Sequence, residues 1–253
     1  MGGRIDAYLD VASLYSYVAF LLLIKDAPVY AANNIEVVYE IYHPILLGAI
    51  NKATGNKPPF SLPAKAAYGM YDVRRSCARV GVPETQTPPD FMKRAVTVLA
   101  LRALHYIQSH YSAETYVAAF HYLFYRFWTP EHADLRDPEV LKAELRAAPA
   151  GFNGKASLKA GSQNSKPLFA AADVDAIVAG ATSQPAKDQL TAATTEALDR
   201  GAYGAPWLWV TNDAGDAEPF FGSDRFHFVY QFLGLPYQDV VLVDAPVARA
   251  GKL

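Results

Sequence analysis

The chain has 253 residues, a formal net charge of −2, and 51% apolar against 19% charged residues, which is the composition of an ordinary globule with ample material for a core. No basic stripe suits it to nucleic acid, and its longest apolar run, Tyr17 to Ile24, is about half the length of a membrane span. No basic region leads into a long hydrophobic run at its start, so a secretory leader is not expected.

The first region, about residues 3–45, reads strand (Arg4–Leu9), helix (Leu14–Asp26), strand (Ile35–Ile41). Alternating and β-branched apolar residues mark the strands, and this order is that of a βαβ unit. Between the first strand and the helix lies Ser13-Leu14-Tyr15-Ser16. A tight loop at a helix start is where thioredoxin-like proteins carry C-x-x-C, because unpaired N–H groups and the helix dipole there stabilise a thiolate. Both cysteine positions are serine here. A site built to hold a thiolate without a thiol of its own points to a thiol carried by a ligand. The stretch Leu47–Pro59, punctuated by glycine and proline, reads as a connector loop.

From about 62 to 200 the chain reads as helices: Ala64–Arg79, Asp90–Ser109, Ser112–Trp128, Pro138–Ala147, Ala172–Ala179 and Pro185–Arg200. Asp90, Ser112 with Glu114, and Asp137-Pro138-Glu139 supply start signals. Ala148–Lys166, rich in Gly, Ala, Ser, Asn and Lys, reads as a surface loop. Cys77, the single cysteine, rules out an internal disulfide; on a helical stretch it reads as a small buried hydrophobe. None of the six histidines has metal-ligand spacing, no metal is expected, and His43 reads as structural.

Strand character returns at Trp207–Thr211 and Glu218–Phe221, followed by a helix over Ser223–Leu233 and a surface tail after Pro236. The fold class is therefore α/β: a thioredoxin-like βαβ…ββα core, residues 1–61 and 201–253, interrupted by an all-helical insertion domain, residues 62–200. In such a core a cis-proline faces the active loop, and Ala205-Pro206 stands in that place; the residue before it pairs through its backbone with an extended ligand. Ser223 and Asp224, expected at the N-cap and first turn of the last helix, suit capping and also a zwitterionic amino acid.

These segments resemble the kappa-class glutathione transferases, a family that includes the 2-hydroxychromene-2-carboxylate isomerases. The matching stretches are Asp10-Val11-Ala12-Ser13-Leu14-Tyr15-Ser16-Tyr17, Gly55-Asn56-Lys57-Pro58-Pro59 with Leu62-Pro63-Ala64-Lys65, Gln189-Leu190 with Thr194–Ala197, Gly201–Pro206, and Phe221–Arg225. They run in the family's order over almost the whole chain. The resemblance implies glutathione as co-substrate, with Ser13 as the catalytic serine whose hydroxyl bonds the glutathione sulfur. It places Tyr15, Asn56, Lys65, Asp72, Ala205, Pro206, Ser223 and Asp224 against glutathione, the Ala205 backbone on the cysteinyl unit and the Ser223–Asp224 pair on the γ-glutamyl end. Leu14 stands where the family has proline, and Ala148–Lys166 is longer than its counterpart.

The expected reaction is transfer of glutathione to a small hydrophobic electrophile held near Tyr17, Phe60 and Trp207, with peroxide reduction as a related activity. The alternatives are glutathione-dependent isomerisation of a 2-hydroxychromene-2-carboxylate-like aromatic acid and a non-catalytic glutathione-binding scaffold. Family resemblance also implies a homodimer. An intracellular, soluble location is expected: cytosol, mitochondrion, or peroxisome through the terminal Gly251-Lys252-Leu253, a variant of the S-K-L address.

Overall fold

In the computed structural model, which describes residues 2–36, 42–159 and 166–238, the first apolar run forms strand β1 (Arg4–Leu9) at the centre of a four-stranded sheet. β1 pairs in parallel with β2 (Tyr42–Pro44), Ala7 opposite Tyr42, and antiparallel with β3 (Trp207–Thr211), Arg4 opposite Thr211. β4 (Ala217–Phe221) pairs antiparallel with β3 and completes the order β2-β1-β3-β4. This is the expected mixed α/β arrangement, in which the second half of the sheet comes from the far end of the chain.

Strand alternation divides the core. Ile5, Ala7, Leu9, Leu208 and Val210 face one side, joined by Tyr17 and Phe20 of α1 (Leu14–Ala32), by Val229 of α11 (Phe226–Phe232) and by the helical insertion. Tyr8 and Trp207 face the other, packed with Ile45, Ile50, Ala193 and Ala197. The insertion supplies α3 (Pro63–Arg79), the short α4 (Phe91–Arg94), α5 (Val98–His110), α6 (Ala113–Trp128), α7 (Pro138–Ala147), α8 (Lys155–Lys159) and α9 (Ala171–Ala181), and all of these but α8 pack side chains into the first side. The second side is covered by α2 (Leu47–Thr54) and α10 (Gln184–Asp199), which pack on each other.

Several boundaries differ from the sequence reading. The first helix does not stop at Asp26; it runs through Pro28 to Ala32. Proline removes one N–H bond without forcing a stop when packing holds both flanks, and Leu22, Leu23 and Tyr30 are buried on either side of it. At 19 residues α1 has the length and apolarity of a membrane span, but half of that stretch is buried inside the protein, as in a core helix. The stretch read as a connector contains α2, whose Ile50 is fully buried and whose C-terminus is closed by Gly55 at φ 73°. Gly48, taken as punctuation, is an ordinary helical residue. The expected helix Asp90–Ser109 breaks between Arg94 and Val98, where Thr97 turns inward.

The last helix starts at Phe226, so Ser223 and Asp224 lie in the turn ahead of it and do not cap it. In the expected Ala148–Lys166 loop, residues 155–159 are helical and 160–165 lie outside the described residues. Residues 37–41 of the expected second strand, and the terminal tripeptide, also lie outside them. Cys77 is buried and burial pushes its thiol up, the environment of an inert core residue.

Candidate active site

Asp10 follows β1 and makes a turn, Ser13 N–H donating to the Asp10 carbonyl at 2.9 Å. The turn places Ser13 as N-cap of α1 in extended backbone, its Oγ accepting from Ser16 N–H at 3.1 Å. The amides of Leu14 and Tyr15, the first two of the helix, have no acceptor inside it and face the same end. Leu14 is buried and starts the helix without the fixed φ of proline.

Across from this helix end, Ala205-Pro206 forms a cis peptide, as expected. Ser13 Oγ donates to the Ala205 carbonyl at 3.0 Å over 192 residues of chain. The loop before β3 is further held by Asn56, just beyond α2, whose Nδ2 donates to the Tyr203 carbonyl at 2.6 Å. Gly204 between them has no room for a side chain: a Cβ would stand 2.8 Å from the Phe221 ring.

Tyr15 and Asp72, each expected against glutathione, meet each other, Tyr15 Oη donating to Asp72 Oδ2 at 2.5 Å. Burial, reinforced by Asp72 and more weakly by Cys77 and Asp224, pushes the Tyr15 hydroxyl well above its ordinary value, so it stays a donor. Lys65 lies exposed in the first turn of α3, seven residues before Asp72 and so on the same helix face. Ser223 is buried and Asp224, exposed and paired with Arg225, projects from the end of β4. Ser13, Tyr15, Asp72, Asn56, Ala205, Pro206 and Ser223–Asp224 thus come from five chain segments to the end of α1.

The residues expected around an electrophile do not assemble. Tyr17 is fully buried, stacked on Phe124 at 5.0 Å. Trp207 is buried on the opposite face of the sheet, in the smaller cluster. Phe60 alone is open, 46% exposed and edge-on to Phe91 at 5.7 Å. Phe91 in turn packs on Trp128 at 5.6 Å, and the Trp128 indole N–H donates to the Val11 carbonyl at 2.8 Å. A chain of aromatic contacts therefore runs from the exposed Phe60 through Phe91 to the buried Trp128 at the serine loop, a link that sequence reading missed because Phe91 and Trp128 read only as helical residues.

His43 lies on the far face, stacked on Tyr8 at 4.7 Å and bonded through Nε2 to Asp6 at 2.9 Å. It is structural, as read.

A family model of the DsbA-like thioredoxin domain matches residues 4–164. Glutathione S-transferase kappa 1 of Caenorhabditis elegans is 32% identical over 239 residues, which is 92% of each chain. The 2-hydroxychromene-2-carboxylate isomerase of Sphingobium xenophagum is 28% identical over 235 residues, 92% of this chain and 99% of that one. Among solved structures, a 2-hydroxychromene-2-carboxylate isomerase superposes with a TM-score of 0.64 at 21% identity, covering 91% of this chain and 94% of its own.

Proposed function

The chain belongs to the DsbA-like thioredoxin family, and within it to the kappa-class glutathione transferases and their isomerase relatives; from that membership we propose that this glutathione transferase uses Ser13 to hold the glutathione thiolate. The observation that carries the reading is the place of Ser13 Oγ, at the N-terminus of α1 and 3.0 Å from the Ala205 carbonyl. A ligand strand pairing with the Ala205 backbone sets its cysteinyl sulfur at that hydroxyl and at the free amides of the first turn. A thiol near pKa 8.5 is depressed at a rate of about 1.4 kcal/mol of differential stabilisation per unit. One hydroxyl donor and a helix N-terminus supply roughly one to two such units.

The rest of the ligand follows the polar groups. Asn56 and Lys65 flank the peptide, Tyr15–Asp72 closes one side, and Ser223 with Asp224 takes the γ-glutamyl carboxylate and ammonium. Electrophiles lie on the exposed Phe60 and the partly open Phe91, with the buried Trp128 behind them as support, in place of Tyr17 and Trp207. In conjugation with an aryl halide, the sulfur lone pair forms the S–C bond, halide leaves with the C–halogen pair, and the thiol proton goes to solvent.

Calorimetry with glutathione, the ultraviolet thiolate band of the binary complex, and conjugation of chlorodinitrobenzene test this on wild type and Ser13→Ala. The expected variant binds glutathione, loses the thiolate band at neutral pH, and loses on the order of tenfold to hundredfold in kcat/KM, the worth of one hydrogen bond to a charged group. Retention of both band and rate removes Ser13 from the mechanism.

A second reading, glutathione-dependent isomerisation, is favoured by the full-length match to the isomerase of Sphingobium xenophagum. There the thiolate adds and leaves without net conjugation. Incubation with a 2-hydroxychromene-2-carboxylate separates the two: an isomerised product with no glutathione consumed selects this reading.

A further inference from the structure

Asp10 is 1% exposed, directly beneath the serine loop. Its Oδ1 accepts the Ala12 amide at 2.9 Å and the Thr97 hydroxyl at 2.7 Å, and its Oδ2 accepts the Leu47 amide at 2.8 Å. Those donors belong to three separate pieces of the molecule: the turn carrying Ser13, the start of α2 leading to Asn56, and the break between α4 and α5 in the insertion. Trp128, also from the insertion, clasps the adjacent Val11 carbonyl. We propose that Asp10 is a positioning residue for the reaction: its ionised carboxylate ties the serine turn to α2 and to Thr97, and the turn keeps its working shape only while that tie holds. The inference rests on Ser13 as the group that meets the thiolate.

The argument turns on what the carboxylate meets. All three partners are donors, and two are backbone amides that cannot reverse. A proton on the carboxyl finds an acceptor only if Thr97 rotates its hydroxyl or an amide is pushed away, and either change loosens the insertion from the loop. Among the described residues no cation touches the group. Of the ionisable side chains on the elements around it, His43 on β2 is bonded to Asp6. His105 on α5 is bonded to the Pro44 carbonyl and is held by burial down at about 4, so it is neutral over the range in question. Tyr15 of α1 is bonded to Asp72.

Burial raises the Asp10 carboxyl to about 6 against the pull of its three hydrogen bonds. A folded value above the unfolded one, roughly 3.9, means that its contribution to stability is complete below the unfolded value and is lost as pH rises through the folded value. Ionised Asp10 therefore makes the neutral protein less stable than a protonated group would. A residue kept for packing alone has no reason to be a carboxylate here. Activity, in contrast, needs the ion, so around pH 6 the two properties move in opposite directions with respect to this one group.

The test compares wild type, Asp10→Asn, Thr97→Val and Thr97→Ser, each first verified as folded by circular dichroism. The kcat/KM for glutathione and chlorodinitrobenzene is followed from about pH 5 to 8, the span of this titration, with the thiolate band recorded in parallel to subtract the thiol's own ionisation. Asp10→Asn is expected to lose about tenfold to hundredfold in kcat/KM, as for a broken buried charged hydrogen bond, and to lack the acid limb that the thiolate band leaves unexplained. Its glutathione affinity changes far less. Thr97→Val, which removes a bond that favours the ion, moves that limb to higher pH, and Thr97→Ser returns it.

Folded Asp10→Asn with wild-type kcat/KM overturns the proposal, and so does Thr97→Val with a lowered melting temperature but an unmoved limb, the mark of a purely structural bond. Where Asp10→Asn fails to fold, the Thr97 pair decides by the same criterion. Ser13→Ala reports on the underlying reading separately: loss of the thiolate band there, beside an unaffected Asp10→Asn, sinks this inference and leaves Ser13 in place.

Discussion

Ser13 carries a single hydroxyl proton, and it is engaged with the Ala205 carbonyl. Donation to a sulfur requires the hydroxyl to turn away from that carbonyl, while the Ser16 amide keeps hold of the oxygen. The same economy governs Asp6 on the far side of the sheet, whose carboxylate takes Arg4, His43 at 2.9 Å and Arg200 at 3.5 Å. Burial pushes its carboxyl up, but the bonds from His43 and Arg4 outweigh that and hold it well below the usual carboxylate range. A depressed folded value stabilises above the unfolded value and is lost as pH falls through the folded one. Asp6→Asn is expected to destabilise by about 1–3 kcal/mol at neutral pH, with the gap to wild type closing below roughly pH 4, where the unfolded carboxyl protonates. Urea titrations at neutral and acid pH measure it; a gap independent of pH excludes the ion as its source.

At the scale of elements, α2 matters most for the site because it ends on Asn56. Gly55 closes it at φ 73° with open space around its Cβ position, so Gly55→Ala meets backbone strain and no clash. The expected loss is about 1–2 kcal/mol, the penalty for a left-handed non-glycine residue, with a raised KM for glutathione and a nearly unchanged kcat. An unchanged KM detaches Asn56 from the ligand. The sequence disclosed elements with strong local chemistry: β3, with its aromatic and β-branched run, and α7, with Asp137 at its N-cap, fall on their expected residues. It concealed α2, whose glycine and asparagine imitate a loop, and the end of α1, where burial carries a helix past proline. Short motifs put Ser13, Asn56 and Ala205 forward as candidates, and the fold brings them together. Asp10, Thr97 and Trp128 were not, because hydrogen bonds across 87 and 117 residues leave no local spacing to read.

For the molecule as a whole, one apolar cluster runs from Ile5 and Leu208 of the sheet through Phe20 and Phe124 to Leu141 and Ile177 in the insertion. Sheet and insertion share their core, and the expected unfolding is a single transition with far- and near-ultraviolet circular dichroism coincident; two separated transitions would show two independent cores. Tyr68, Met70 and Tyr71 are exposed on α3, and we propose this surface as the contact of the homodimer that the kappa-class resemblance implies. Light scattering is expected to report a dimer in wild type and a monomer in Met70→Glu.

β1 is an inner strand, yet its antiparallel neighbour pairs Arg4 with Thr211. On the ribosome the N-terminal βαβ unit emerges early and then waits, one edge bare, while the whole insertion is synthesised. A bare edge beside a growing apolar surface is an invitation to pair with another chain. Two demands on the nascent polypeptide follow. The insertion's helices, built from local contacts, must condense promptly enough to shield α1, and β3 and β4 must arrive before a neighbouring nascent chain supplies a strand in their place. Expression yield should consequently respond more sharply to the pace of translation through residues 62–200 than to small changes in the finished protein's stability.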